Sequence, residues 1–386
     1  LIIKKMRIIV VGIVIALVSR GVLWTQDFRA IANGVEYAQF TRQIPVQDSA
    51  SFPCVVNLLR IDGTKAALQL IHAKDAAIGL ETTSSLANRY KALAAVNAGF
   101  FGMKGLMAGD AAGVLQIDGK LLSEPYKERV ACGIINRNNR TDAVFGHLKF
   151  IGEAQIGTLR FGKNPGYPIS GINRGRDSSD MVIFTPEFHR TTLTNTRGLE
   201  ILVRGGVVTE LRDSAGSSII PYDGVVLSCS GAGYDWAKAN VREGMNVKII
   251  TEIEALKPEV QNGFQAAEDI VGGVSQLVEN GQIAMTWQRE GAAEDFALGR
   301  HPRTAIAKLK NGHLLLLAAD GRQIGVSMGL TLQELAQMLV EMGAEYAINL
   351  DGGGSTTMVV NGIIVNKPSD PAGERPVSDA LLVFPR

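Results

Sequence analysis

Glu345-Tyr-Ala-Ile-Asn-Leu-Asp351-Gly352-Gly353-Gly354-Ser355-Thr356-Thr-Met-Val-Val-Asn361-Gly362 is the stretch from which the rest of the chain can be ordered. Residues 346–350 form a mainly apolar run of strand length that ends on a carboxylate followed by three glycines. Glycine admits positive φ and lets backbone approach a ligand with no Cβ in the way. Consecutive amides in such a turn form nests that bind anionic oxygens. Ser355 and Thr356 add hydroxyls, and Asp351 is the group able to move a proton or hold a cation. Residues 357–360 and 363–366 then flank Asn361-Gly362, a pair that favours a two-residue hairpin turn. A solvated turn is the competing reading of Asp-Gly-Gly-Gly, but functional groups concentrate on loops held by rigid elements.

Immediately upstream, Thr331-Leu-Gln-Glu334 has the form of a capping box. Leu332, Leu335, Ala336, Leu339 and Met342 follow on one helical face, and Gly343 closes the helix. Before that, residues 304–310 and 313–319 flank Asn311-Gly312, another two-residue hairpin signal. Counting outward from Lys310 and His313 sets Arg303 opposite Asp320, and directly opposed residues interact. The order strand 313–319, helix 332–342, strand 346–350 predicts a right-handed crossover with parallel strands. Asp320, Arg303 and Asp351 would then share one rim, where ligands sit in open α/β sheets. A plain Arg303–Asp320 salt bridge beside an unrelated turn is the alternative.

Further toward the N-terminus, residues 55–61 and 66–72 around Asp62-Gly63-Thr64-Lys65 predict a hairpin. Thr83, Ser84 and Ser85 offer N-caps for a helix over 86–91. A strand at 92–96 ends on Asn97-Ala-Gly-Phe100-Phe101, where an amide and a ring suit a sugar. Equally, Asn97 can cap a turn and the two rings can be core. Asn173-Arg174-Gly175-Arg176 could meet a phosphate or carboxylate bidentately, or simply lie on the surface. Residues 199–255 look strand-rich, with turns at Gly205-Gly206 and Asp223-Gly224. Glu374 is either the second carboxylate of a glycosidic pair or a surface residue. The resulting fold class is α+β: a mixed β-sheet core rich in hairpins, a few helices, and the C-terminal strand–helix–strand crossover. Residues 34–386 read as one domain, with 34–80 its strand-rich N-terminal part.

Net charge is +1, with no basic run beyond the first seven residues, so nucleic acid is excluded as a partner on electrostatic grounds. Lys4, Lys5 and Arg7 precede an apolar run at 8–18, long enough for a signal-peptide core and too short to span a bilayer. Residues 1–25 are therefore expected to be a signal peptide or N-terminal anchor, and the protein an exported one of the cell envelope, periplasm or exterior. Membrane contact would come only through that segment. Cys54, Cys132 and Cys229 show no C-x-x-C, which excludes a disulfide scaffold or an evident zinc site. Buried free thiols, or one pair formed after export, are the remaining readings.

Four segments carry a resemblance. Asn97-Ala-Gly-Phe-Phe101, Arg303-Thr304, Asp351-Gly-Gly-Gly-Ser-Thr356 and Glu374-Arg-Pro-Val377 resemble the phosphodiester glycosidase family, over roughly residue 34 to the C-terminus. Val274 and Gln276 stand where that family tends to carry Gly and Pro. The resemblance implies hydrolysis of a sugar-1-phosphodiester at the anomeric carbon, releasing free sugar and a phosphomonoester. The substrate would be N-acetylglucosamine-1-phosphate-like or an envelope glycopolymer.

Such chemistry needs a carboxylate for the oxocarbenium-like centre and donors for the phosphate. Asp351 is the first candidate, with Asp320 and Glu374 as alternates and Arg303 as phosphate donor. Substrate binding falls to Asn97, Asn173, Arg174, Thr304, Gly352, Gly353, Gly354, Ser355 and Thr356. No cofactor is required, although Asp351 and Asp320 together suit Ca²⁺ or Mg²⁺. A non-catalytic envelope glycan-binding protein of the same fold is the competing function. A hydrolase built on Ser355 lacks the G-x-S-x-G elbow.

Overall fold

The strand Leu314–Ala319 reads LLLLAA, and its lack of alternation means that both of its faces are covered. Leu314, Leu316 and Ala318 point into one core, while Leu315, Leu317 and Ala319 point into another. The computed structural model describes residues 27–45, 51–157 and 166–386. In it this strand lies inside an eight-stranded antiparallel sheet, between Ser51–Ile61 and Arg303–Leu309. Ala344–Asn349 follows on the far side of Arg303–Leu309. The expected segment 1–25 lies outside the described residues.

One face of the sheet is covered by the helix Leu332–Glu341, which buries Leu332, Leu335, Ala336, Met338 and Leu339. The capping box is formed: Glu334 N donates to Thr331 Oγ1 at 3.1 Å, and Thr331 N to the Glu334 carboxylate at 2.9 Å. The opposite face packs on a five-stranded sheet ordered Ile363–Ile364, Met358–Val360, Ala94–Asn97, Asp379–Pro385, Ala66–His72. Val96, Met358 and Leu381 of this sheet meet Leu59, Ile306 and Ile348 of the first in one core. Two further sheets, of seven and five strands, complete the described residues. The protein is mostly β with few helices, consistent with an α+β class. In the two sheets that carry the site, every strand pairing is antiparallel rather than mixed.

Leu314–Ala319 and Ala344–Asn349 each run antiparallel to the strand between them, so they point the same way and release residues 320 and 351 at one edge. The hairpin register, however, differs from the expected one. The turn has three residues, Lys310-Asn311-Gly312, with Leu309 N donating to His313 O at 2.8 Å. Gly312 takes the left-handed conformation at φ +84° that such a turn requires. Arg303 therefore faces Ala319, not Asp320, and a one-residue slip reverses which face each side chain serves.

The Asp62–Lys65 turn is real but joins no hairpin. Its two strands, Ser51–Ile61 and Ala66–His72, enter different sheets, so the turn is a corner between layers. The first helix is Thr83–Arg89, capped by Thr82 through Ser85 N at 3.2 Å, slightly earlier than expected. Gly205-Gly206 does turn Leu199–Arg204 into Val207–Asp213, but Gly224–Cys229 pairs with the first of these strands rather than the second. The helix Gly231–Asn240, with two glycines and no strong apolar stripe, carried no legible signal. Asn361 and Gly362 both have positive φ, 51° and 75°, as the type I′ turn demands. All three cysteines are buried and free.

Replacing Thr331 by Ala removes the cap that starts the sheet-covering helix and should cost about 1 kcal/mol. A lowered midpoint in urea unfolding checks this.

Candidate active site

Where the two sheets abut, the chain runs Asn349-Leu350-Asp351 off its strand and turns through the glycines. Main-chain bonds fix the path: Leu350 N to Thr304 O at 2.9 Å, Asp351 N to Ala98 O at 2.8 Å, and Gly353 N to Pro302 O at 2.9 Å. Gly352 N donates to Asp351 Oδ1 at 2.9 Å, and Ser355 N to Gly352 O at 3.1 Å. The amides expected to cradle phosphate are thus largely committed within the protein.

The glycines serve close approach instead. A Cβ on Gly352 would stand 2.7 Å from the Pro302 carbonyl oxygen. Gly353 sits at φ +61° with the Arg322 guanidinium 3.1 Å from its Cβ position, and a Cβ on Gly354 would overlap the Arg375 guanidinium. Two cations therefore lie on the turn. The Arg375 Nε–H is held by Asp370 at 2.8 Å. Arg322 reaches His301 Nδ1 at 3.4 Å, and among the described residues it forms no ion pair with a carboxylate.

These groups surround a cavity of about 370 Å³ whose lining includes Asp351, Arg322, Arg375, His301, Phe100 and Phe296. The two rings meet edge to face with centroids 5.9 Å apart. Burial pushes the Asp351 carboxyl up to about 6, although the Ser355 hydroxyl, Gly352 N–H and Arg375 pull it down. The negative charge of Asp379 adds to the rise. Asp379 is itself buried, accepting from Gly99 N and the Ser378 hydroxyl. Ala98 links the two acids, taking Asp351 N on its carbonyl and donating its own N–H to Asp379 O.

The sequence candidates divide sharply. Asp351 and the glycines reach the cavity. Asn97 does not present its amide to a ligand: it is fully buried, with Nδ2 donating to Asp351 O at 2.7 Å. Its Oδ1 accepts from Thr304 Oγ1 at 2.8 Å and Thr357 N at 3.1 Å. Thr304 and Thr356 are buried in the same cluster, and Ser355 is buried beside Asp351.

Arg303 borders the cavity but spends its guanidinium on carbonyls, those of Leu330 at 2.8 Å, Phe296 at 2.6 Å and Gly299 at 3.0 Å. It is a buried strut for the wall carrying Phe296, and burial lowers its pKa to about 10. Asp320 turns to Asn366 Nδ2 and Lys367 N, both at 3.1 Å, and is no part of the cavity lining. The slipped register is the reason, and a cation shared by Asp351 and Asp320 loses its paired ligands with it.

Glu374 caps the first turn of the helix Thr83–Arg89 through Ser84 N at 2.8 Å and the Ser84 hydroxyl. Asn173 is buried against Leu122 O and Thr185, at φ +57°. Arg174 pairs with Glu124 at 2.7 Å and Asp180 at 2.8 Å beside a separate cleft. Arg322, Arg375, His301 and Asp379 were missed as site residues. Arg375 stood within the Glu374–Val377 segment already noted, but nothing in its spacing said which way it faced.

Comparison with known proteins now bears on this arrangement. Residues 197–384 match the phosphodiester glycosidase family model. The matched residues include Asp351, Arg322, Arg375 and Asp379, whereas Asn97 and Phe100 lie outside the match. The mouse N-acetylglucosamine-1-phosphodiester alpha-N-acetylglucosaminidase is 32% identical over 197 residues, 47% of this chain and 36% of that protein. The chain thus spans only about a third of that relative. A putative exported protein from Burkholderia pseudomallei superimposes with a TM-score of 0.73 at 26% identity, over 87% of this chain and 75% of its own. A hypothetical protein from Synechocystis shares the fold, with a TM-score of 0.76 at 23% identity over 92% of this chain and 63% of its own. The likeness read from the four sequence segments to the phosphodiester glycosidase family is thereby supported.

The two glycine contacts separate function from stability. Gly354→Ala meets only the far end of a flexible arginine, so it should displace Arg375 and raise KM about tenfold or more with little change in Tm. Gly352→Ala meets a carbonyl and should lower Tm by several degrees. Kinetics and thermal melts on the two variants check both outcomes. Asn97→Ala strands three buried partners and should cost roughly 2–4 kcal/mol, read by urea unfolding.

Proposed function

We propose that the protein is a glycosidase that hydrolyses a sugar-1-phosphodiester at the anomeric carbon, releasing free sugar and a phosphomonoester. The observation that carries this reading is the meeting, in one cavity lined largely by residues that match the phosphodiester glycosidase family model, of the Asp351 carboxyl with the guanidiniums of Arg322 and Arg375. A diester phosphate carries one negative charge, and planar guanidiniums match its oxygens in pairs. Phe100 and Phe296 supply apolar faces against which a sugar ring can lie.

With the phosphate held by the two arginines, C1 of the sugar faces Asp351. The C1–O bond to phosphate breaks, and its electron pair leaves on the phosphate oxygen, whose charge the arginines stabilise. That oxygen is already a good leaving group, so little protonation is asked of the protein. In its ionised form Asp351 either attacks C1 or takes a proton from the water that does. Both routes use the carboxylate, so both are lost when it protonates. Asp379 acts one layer behind, where its charge sets how readily Asp351 holds its proton. Export of the protein is supported by the apolar run at 8–18 behind Lys4, Lys5 and Arg7, and an envelope glycan joined through phosphate is the matching substrate class.

The test is product analysis by NMR on a defined N-acetylglucosamine-1-phosphodiester. Free sugar and phosphomonoester support the reading, and binding without release of sugar would sink it. The log of kcat/KM should rise with pH up to about 6 and then level, as Asp351 ionises. Asp379→Asn should move that limb to lower pH.

Asp351→Asn should cut kcat at least a hundredfold. The same variant should be more stable than the wild type at pH 8 and not at pH 3. A carboxyl raised above its ordinary 3.8 contributes stability only while protonated, a contribution lost as pH rises through about 6. Thermal melts at both pH values check the sign, and activity within tenfold of wild type would remove Asp351 from the mechanism.

A further inference from the structure

Beside the Asp351 cavity lies a second cleft of about 490 Å³, lined among others by Asp110, Ser123, Glu124, Tyr126, Phe150 and Arg174. A narrow crevice lies between them. Phe100 lines both the Asp351 cavity and the crevice, while residues 111–113 line both the crevice and the second cleft. Ala112 N donates to Phe100 O at 2.7 Å, so the step from one wall to the other is one strand spacing, about 5 Å.

The lining of the cleft has the chemistry of a carbohydrate site. Tyr126 stands 47% exposed, although a tyrosine ring is ordinarily packed away, and it offers a flat apolar face. The Arg129 guanidinium lies over that ring 4.8 Å from its centroid, and the Lys127 ammonium 5.2 Å from it, contacts that help to fix the ring. Arg129 donates to Ala112 O at 3.2 Å and Glu290 O at 3.4 Å, and Lys127 reaches over Gly291.

Opposite, Glu124 is fixed by Arg174 at 2.7 Å. Asp110 is pushed up to about 7 by burial and by the charge of Glu124. At neutral pH its carboxyl can therefore both donate to and accept from a hydroxyl. A ring platform and a carboxyl pair suit a neutral sugar.

We propose that this cleft is a second carbohydrate subsite, holding the next sugar of a phosphate-linked glycan whose scissile unit lies at Asp351. Tyr126 stacks on that sugar, and Asp110 and Glu124 bind its hydroxyls, while the phosphate between the two sugars stays with Arg322 and Arg375. The substrate is then an oligomer rather than an isolated sugar-1-phosphodiester. This inference rests on the glycosidase reading above.

Two synthetic probes test it: methyl N-acetylglucosaminyl-1-phosphate, and a trimer of N-acetylglucosamine units joined through C1–phosphate–O6 bridges. On the wild type, kcat/KM for the trimer should exceed that for the monomer by tenfold or more. In Tyr126→Ala the trimer-to-monomer ratio should fall five- to tenfold, with Asp110→Ala acting in the same direction. Equal kcat/KM for both probes on the wild type, or an equal loss on both in the variants, overturns the proposal.

Calorimetric binding of the trimer separates the two ideas. If neither probe is cleaved but trimer affinity still drops several-fold in Tyr126→Ala, the glycosidase reading fails and the subsite stands. If trimer affinity is unchanged in Tyr126→Ala, the subsite falls whatever the turnover. Because Tyr126 is exposed, a thermal melt matching the wild type shows that the variant is folded.

Discussion

One buried amide joins the two sheets that carry the site. Asn97, at the end of a strand in the five-stranded sheet, holds the main chain of Asp351 and the side chain of Thr304, both from the eight-stranded sheet. With its remaining acceptor capacity it also holds Thr357, where the chain re-enters the five-stranded sheet. An amide that offers donors on one side and an acceptor on the other is suited to such a junction. Sealed from water, each of its bonds is costly to leave unmade. The position of the Asp351 carboxyl therefore depends on a residue with no access to substrate.

Around that fixed point the charges are arranged against one another. Asp351 is partly withdrawn from water and faces a second acid through Ala98, which favours its protonated form. Arg322 and Arg375 lie over glycines that leave them room, and the charge of Arg375 favours the ionised form. Arg303, by contrast, is wholly engaged with carbonyl groups and shapes the wall. Guanidiniums around one cavity thus differ in role according to what they are already bonded to, and charge alone would not have separated them.

The sequence made some of this legible and not the rest. The capping box at Thr331, the Asn361-Gly362 turn and the strand ending on Asp351 are local signals, and each is found where its residues predict it. The Arg303–Asp320 pairing failed on a local ambiguity: Asn-Gly supports turns of either two or three residues, and the extra residue shifts every opposite number by one. The roles of Asn97, Glu374 and Arg375 could not be read at all, because their partners lie 254, 290 and, for Asp370, 5 residues away, and spacing does not say which of many carbonyls or acids a side chain will meet.

The strand Ala94–Asn97 sits between Met358–Val360 and Asp379–Pro385, which lie more than two hundred and fifty residues further along. The family match begins only at residue 197, so this inserted strand lies outside it. The two halves of the chain are consequently interleaved rather than side by side: a nick in an exposed loop between them would leave both fragments clasped together, and the C-terminal half made alone would have an open slot beside Asp351.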